Sequence, residues 1–525
     1  MPQHLEHLDV VIVGAGLSGV GAAYRLKTEC PGKTFAVIEA RASIGGTWDL
    51  FRYPGIRSDS DMFTLGYPFR PWAGAKSIAD GASILSYIHE TAADTGVRDS
   101  IRLSTRLVSA AWSSAEAHWL LELDVTSEDG DVERRSMTCG FLYSCTGYYD
   151  YARGHEPSFP GIGDFRGEVV RPQFWPEDLD YTGKRVVVIG SGATAITLVP
   201  SMARDAASVT MLQRSPSYIL AVPGRDRFAD IARRYLPAGA AHRLARAKNV
   251  LVTQAFYQLC RRRPELAKKF LRKQVTDILG NDQVVEDNFV PRYNPWDQRL
   301  CIAPSADFFR TLKTEKASVV TDTIETFTPR GIRLSSGREL DADVVVTATG
   351  LSMLPLGGAT FTVDGKGVDL GDTWVYRGLM ISGVPNLALC FGYSNASWTL
   401  RADLSSRYVC RLLNYLDRHG YRSATPVARD GMTRRPILDF TSGYVQRGSG
   451  AFPQQGKRQP WVMRHNYLLD APSALFSNLA TDMAFDAPAG APAAAAATAP
   501  VSTPAGVPDS TELEPDRPDL QEFVP

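Results

Sequence analysis

The sequence lacks paired cysteines. Its seven, Cys30, Cys139, Cys145, Cys260, Cys301, Cys390 and Cys410, are odd in number and scattered, and no two form a CxxC pair. That pattern fits reduced thiols in a cytosol and excludes a disulfide framework. No metal site is expected. Net charge is also missing: 57 basic side chains balance 57 acidic ones. The chain as a whole is therefore no electrostatic magnet for nucleic acid. No apolar run reaches the roughly 18 residues of a spanning helix. The N-terminus has no basic region followed by an apolar core, so no secretory signal is expected and the expected location is the cytoplasm.

What is present belongs to a globular protein of several domains. The length of 525 residues exceeds one simple core. Asp9-Val10-Val11-Ile12-Val13 is a short apolar run rich in β-branched residues, the pattern of a buried parallel strand. A glycine turn follows, then a helical pattern to about Lys27, then a second strand at Phe35–Glu39. A second βαβ unit begins at Arg185–Ile189, turns at Gly190-Ser191-Gly192 and returns at Ser208–Gln213. The predicted class is α/β with two Rossmann-like dinucleotide-binding domains, the second inserted in the first. Segments 141–147 and 343–350 are alike, each a buried strand ending in Thr-Gly. They are expected where the chain leaves and re-enters the first domain.

The first glycine motif is Gly14-Ala15-Gly16-Leu17-Ser18-Gly19. Gly14 makes the turn, Gly16 admits a pyrophosphate, and Gly19 lets helix pack on strand. The helix N-terminus offers unpaired N–H groups to phosphate. Glu39, 20 residues after Gly19, stands where a carboxylate binds a ribose diol. The second motif is Gly190-Ser191-Gly192-Ala193-Thr194-Ala195, followed by Ile196. Its second strand ends in Gln213-Arg214 instead of an acid. An acid would repel a 2′-phosphate and Arg214 would pair with it, which points to NADPH; the plainer reading of Arg214 is a surface charge. FAD is the economical occupant of the first site. A third, turn-rich stretch from Gly45 to Asp59 follows Glu39 closely and is expected along the flavin nucleotide.

Gly46-x-Trp48-x4-Tyr53-Pro54-Gly55-x3-Asp59 resembles a fingerprint of the class B flavoprotein monooxygenases of the Baeyer–Villiger type. The stretches "RPQFWPEDLDY", "TMLQRSPSYI", "YNPWDQRLC" and "GYSNASWTLRADL" are similar to the mycobacterial branch, which holds the ethionamide-activating enzyme and its MymA-type relatives. The resemblance covers about residues 8–470. It implies that NADPH reduces FAD, that O2 adds to give a C4a-peroxyflavin, and that the product is an ester or lactone from a hydrophobic ketone. The alternative it leaves open is oxygenation of sulfur or nitrogen in a specialised metabolite, so the implied substrate is a small hydrophobic ketone, sulfide or amine. A third reading is a flavoprotein that has lost oxygenation. Arg299 stands at the family's catalytic arginine; a structural ion pair is the plain alternative. Asp59 would hold it near the flavin. By the same carry-over Ser18, Glu39, Thr47, Trp48, Asp49, Leu50, Asp59 and Val108 touch FAD. Arg57, Ser58, Asp59, Gly190 to Ile196, Gln213 and Arg214 touch NADP. Trp398 is a candidate pocket wall or a core tryptophan.

One departure stands out. The family's defining fingerprint, F-x-G-x3-H-x3-W-P, runs here from Phe165 to Pro176 with Arg171 in the histidine position. Histidine titrates near neutral pH and arginine does not. Arg171 therefore joins Arg299 and Asp59 among the residues expected to shape catalysis.

The expected boundaries are 1–160 for the first part of the FAD domain, and 161–223 with 296–335 for the NADPH domain. Residues 224–295 form a helical insertion. Residues 336–483 form the second part of the FAD domain with substrate-pocket elements, and 484–525 a disordered Ala/Pro-rich tail. Residues 225–273 carry 14 Lys and Arg against three acids. That stretch reads as a solvated helical face or as a peripheral membrane or partner contact. Oligomeric state is not legible.

Overall fold

The computed structural model describes residues 5–438 and 441–486. The first sheet is built around strand His7–Val13, which runs parallel to Phe35–Ile38 on one side and to Val132–Ser144 on the other. Val10, Val11 and Ile12 are fully buried, because helices or further strands cover both faces of this strand. The long strand Val132–Ser144 does two jobs. Its first half pairs antiparallel with His118–Thr126, and its second half takes Leu387–Leu389 as a parallel neighbour. Thr360–Val363 joins the same sheet beside Thr105–Ser113. The first domain is thus completed by a late segment.

The second sheet has five parallel strands in the order Ala317–Thr321, Ser208–Gln213, Arg185–Ile189, Val344–Thr347, Glu168–Val170. Val344–Thr347 therefore lies inside the second sheet, between two of its strands. It is the last strand before the chain re-enters the first domain, where Met353 bridges Tyr149 and Leu356 is buried with Val11, Ile38 and Leu142. The expected boundary at 335/336 falls too early for this reason. An all-apolar run buried on both faces fits either sheet, and its own pattern cannot choose between them. A three-stranded meander, Ile324–Thr328, Gly331–Leu334 and Glu339–Asp341, covers one face of the second sheet.

Four helices, Arg227–Tyr235, Ala238–Arg262, Pro264–Leu279 and Asp282–Phe289, make up the insertion. Arg246 on the second of them is buried and donates to the carbonyls of Phe63 (2.8 Å) and Gly66 (2.9 Å) in the first domain. Asn249 donates to Asp61 at 2.9 Å. The insertion is thus fastened to the segment that follows Asp59.

The tail expected from residue 484 does not start there. Ala484–Asp486 end a strand, Met483–Asp486, paired with Ser423–Pro426. Residues 487–525 lie outside the described residues. Among the described residues, all seven cysteines are buried and unpaired, no helix is long and apolar enough to cross a membrane, and no cluster of three or more ligating side chains could hold a metal.

Candidate active site

The two glycine turns of the first domain meet back to back. A Cβ at Gly19 would stand 1.8 Å from the Gly14 carbonyl oxygen, so helix Leu17–Glu29 reaches its strand only with glycine there. Gly16 bridges Gly45 in parallel fashion, and a Cβ at Gly46 would lie 3.1 Å from the Gly16 Cα. Two backbones thus line one wall with no side chain between them. Glu39 braces that wall. Its carboxylate accepts from the Ala15 N–H at 2.7 Å and the Arg41 N–H at 2.9 Å. Burial raises its pKa above the usual carboxylate range, and the two backbone donors oppose the shift.

Gly14, Gly16, Glu39, Arg41, Gly45 and Gly46, but not Gly19, line a cavity of about 780 Å3, within the range of cofactor sites, about 300–1,000 Å3. The same cavity is lined by Arg57, Ser58, Asp59 and Arg299, and by Ala193 and Thr194 at the start of the second domain's helix. Asp59 and Arg299 are 240 residues apart in the chain and 2.5 Å apart in space, as an ion pair one-third exposed. Arg57 pairs in turn with Asp307 at the start of helix Asp307–Leu312.

The Gly45–Asp59 stretch reaches these positions by crossing between domains. Phe51 and Tyr53 are buried in the core of the second domain, among Val186, Ile196 and Met202. Burial pushes the Tyr53 phenol up to about 12, while a hydrogen bond with Thr194 lowers it. Tyr151, hydrogen-bonded to Thr47 at 3.0 Å, is likewise raised to about 12 by burial. Both phenols stay protonated at neutral pH and act as hydrogen-bond groups, not bases.

An aromatic wall closes another side. Trp398 stacks on Tyr148 with centroids 5.3 Å apart, and its indole N–H donates to Ser18 Oγ at 2.7 Å. Trp398 therefore lines the cavity and also ties helix Trp398–His419 to the first glycine helix. Tyr393 lines the cavity while its hydroxyl donates to buried Asp470 at 2.8 Å. Tyr148, Tyr151 and Tyr393 carried no sequence signal of their own. The pointers to this region are the Thr-Gly after strand Val132–Ser144 and the family-like stretch 392–404, which holds Tyr393 and Trp398.

Other residues singled out in the sequence lie elsewhere. Gly14, Gly16, Ser18, Glu39, Thr47 and Trp48 line the cavity, whereas Asp49, Leu50 and Val108 do not. Asp49 is buried against Arg41 at 2.6 Å, and Leu50 packs toward the second core. Val108 sits at a register shift, while Thr105 to Leu107 line the cavity in its place. In the second motif Gly190, Ser191, Gly192, Ala195 and Ile196 stay off the cavity. Ala195 and Ile196 are fully buried. Gln213 is buried too and donates to Asn288 O at 2.8 Å and Thr321 Oγ1 at 2.9 Å. Its amide N–H groups are spent on internal bonds. Arg214, next in the chain, is exposed and has no ion-pair partner among the described residues. Arg171 is also off the cavity. It is half exposed and forms an ion pair with Glu156, on the segment leading into the second domain.

A family model for flavin-binding monooxygenase-like proteins matches residues 76–229, and one for NAD(P)-binding Rossmann-like domains matches residues 12–76. The chain is 52% identical over 468 residues to the FAD-containing monooxygenase EthA of Mycobacterium tuberculosis, covering 89% of this chain and 94% of that one. The chain belongs to the flavin-binding monooxygenase family. Within this family it also stands 49% identical to the putative FAD-containing monooxygenase MymA of Mycobacterium tuberculosis over 472 residues, with the same coverage of both chains. Among solved structures, a steroid monooxygenase bound to NADP shares the fold at a TM-score of 0.69, with 22% identity over 91% of this chain and 99% of that one. A cyclohexanone monooxygenase in an open form gives 0.65, with 21% identity over 80% and 90%. This flavin-binding monooxygenase therefore has the two-dinucleotide-domain architecture.

Proposed function

We propose that this protein is a Baeyer–Villiger monooxygenase that binds FAD at the first glycine turn and NADPH at the second. It places one oxygen atom of O2 into a hydrophobic ketone, giving an ester or lactone. One observation carries the reading: a single cavity holds the Glu39-braced dinucleotide turn, the Asp59–Arg299 ion pair and the first residues of the second domain's helix.

The residues present fit both groups. The side-chain-free wall at Gly16 and Gly46 is a cradle that any Cβ would fill. Gly14 to Ser18 would hold the FAD pyrophosphate and Glu39 the ribose diol. Beside the second turn, Thr349 Oγ1 is buried without a partner among the described residues. A Cβ at Gly190 would lie 2.3 Å from the carbonyl oxygen of Ala348, the residue before Thr349. A nucleotide at that turn would give the orphaned hydroxyl an acceptor. Arg214 would meet the 2′-phosphate.

The chemistry that FAD would supply there is acceptance of hydride from NADPH and activation of O2, with one oxygen atom going to the substrate and the other, with two protons, to water. The chain's own contribution is electrostatic and steric. Arg299 supplies a cation that never deprotonates, and Asp59 fixes its direction at 2.5 Å. Arg57, held by Asp307, keeps the same stretch in place. The stack of Trp398, Tyr148 and Phe391 walls off water on one side.

The test is to reduce the FAD-loaded enzyme anaerobically with NADPH, admit O2 and a test ketone, and analyse the products. Ester or lactone supports the proposal. Sulfoxide or N-oxide from sulfide or amine probes, without ester from any ketone, would reassign the enzyme to heteroatom oxygenation. Stoichiometric H2O2 without oxygenated product would overturn both.

A further inference from the structure

The helical insertion has an unusual outside. Residues 228–270 hold ten of the nineteen large apolar side chains that are exposed among the described residues. They fall in stripes. On helix Arg227–Tyr235, Phe228, Ile231 and Tyr235 share one face at spacings of three and seven, and Ile231 and Tyr235 are 60% and 73% exposed. Ala229 and Ala232 supply the inward face. On helix Ala238–Arg262, Leu244, Leu251 and Leu259 point out, while Ala241, Ala245 and Val250 point in. On helix Pro264–Leu279, Leu266 and Phe270 point out, while Ala267, Leu271 and Val275 point in. Each of these three helices thus has its own core-facing stripe and a second apolar stripe that stays exposed among the described residues. Scattered exposed apolar residues need no explanation, but concentration in one element does.

The charges around these stripes select the occupant. Arg227, Arg234, Arg243, Arg262, Arg263 and Lys269 are exposed and have no carboxylate partner among the described residues. A second copy of this chain, docked face to face, would bring those six cations against their own images. A two-fold interface places the same patch on both sides, so the repulsion has no relief. A surface of anionic headgroups over an apolar interior meets both features at once. The cations pair with phosphate, and the Phe, Ile, Tyr and Leu side chains enter the acyl boundary.

We infer that the outer face of the 227–279 helices is a peripheral docking surface for an anionic lipid bilayer. The protein lies on the membrane through these helices and does not span it. This inference is independent of the reaction proposed above, since none of these side chains lines the cavity.

The experiment is flotation of the full-length, FAD-loaded protein with vesicles of mixed phosphatidylglycerol and phosphatidylcholine, compared with phosphatidylcholine alone. The protein is expected to float with the anionic vesicles, weakly or not at all with the neutral ones, and less well in about 1 M salt, where the Debye length falls to about 3 Å. Ile231→Asp with Tyr235→Ser, and separately Arg227→Gln with Arg234→Gln, are each expected to cut vesicle partitioning about ten-fold or more. Flavin content and NADPH consumption should stay at wild-type levels, since none of the four side chains lines the cavity. Three results would overturn the inference. They are no flotation with anionic vesicles, flotation of both variants at the wild-type level, and a wild-type oligomer that the apolar variant dissolves while neither form binds vesicles. The last would make the face a contact between copies.

Discussion

Gly55 is the point where the Tyr-Pro-Gly turn of the first domain presses on the second. Its φ is +76°, and a Cβ there would stand 1.8 Å from Ser201 Oγ, 2.9 Å from Ser201 Cβ and 3.2 Å from the Thr197 carbonyl oxygen. Rotating the serine hydroxyl cannot relieve the Cβ contact. Gly55→Ala should therefore carry two costs. The left-handed conformation costs about 1–2 kcal/mol, and overpacking costs about 1–3 kcal/mol. Together they make about 2–5 kcal/mol, which for a domain of this size shifts a thermal transition by on the order of 10 °C. If the turn lifts away from the helix instead, part of the cost moves into function: Arg57 to Asp59 leave their places and NADPH-driven flavin reduction slows. Ser201→Gly in the same chain removes both serine atoms. The contact part should then return, as a coupling of about 1–3 kcal/mol in a double-mutant cycle, while the backbone part remains. The assay is calorimetry or flavin-fluorescence melting of the four proteins, with stopped-flow reduction by NADPH. A Gly55→Ala protein that melts within about 2 °C of wild type and is reduced at the wild-type rate would refute the seating of the turn on helix Ala193–Met202. So would a loss that Ser201→Gly does nothing to restore.

Arg299→Gln should leave NADPH-dependent flavin reduction largely intact and lower oxygenated product about 100-fold or more, with H2O2 rising in its place; product and peroxide assays on one sample check it. Arg214→Ser should raise the KM for NADPH about ten-fold or more, the loss of a charge-assisted contact, and leave that for NADH unchanged; steady-state kinetics with both nucleotides decide. His242 is buried, and burial first, then the charges of Arg246, Arg233 and Arg243, lower its pKa from 6.5 to about 4. Its folded pKa lies below its unfolded one, so the stability it contributes is present above pH 6.5 and is lost as pH falls through about 4. The loss amounts to about 3 kcal/mol at most, and His242→Leu should flatten the fall in melting temperature across that window. Arg171→His should move the melting temperature by no more than about 2 °C, because the Arg171–Glu156 pair is half exposed and such pairs contribute little. Any kinetic change should fall on the step of flavin reduction, read by stopped-flow, and not on the share of oxygen reaching product.

Much of this protein is decided by local pattern. A β-branched run, a glycine turn and an apolar helix repeat specify each βαβ unit, because buried parallel strands and tight strand-to-helix turns tolerate few other residues. Both units, Glu39 at the end of its strand and the basic insertion are legible in this way. The tertiary structure decides what local pattern leaves open. Val344–Thr347 could fill either sheet, and only its neighbours Val186–Ile189 and Glu168–Val170 assign it to the second. Gln213 and Arg214 are adjacent, yet a buried amide bonded to Asn288 and Thr321 separates their roles. Arg171 carries a fingerprint position, yet its partner is a surface glutamate. Above all, Asp59 and Arg299 become a pair only when the Gly45–Asp59 stretch buries Phe51 and Tyr53 in the other domain. Long-range pairing of that kind depends on how two cores pack against one connecting segment, and neither core alone encodes it.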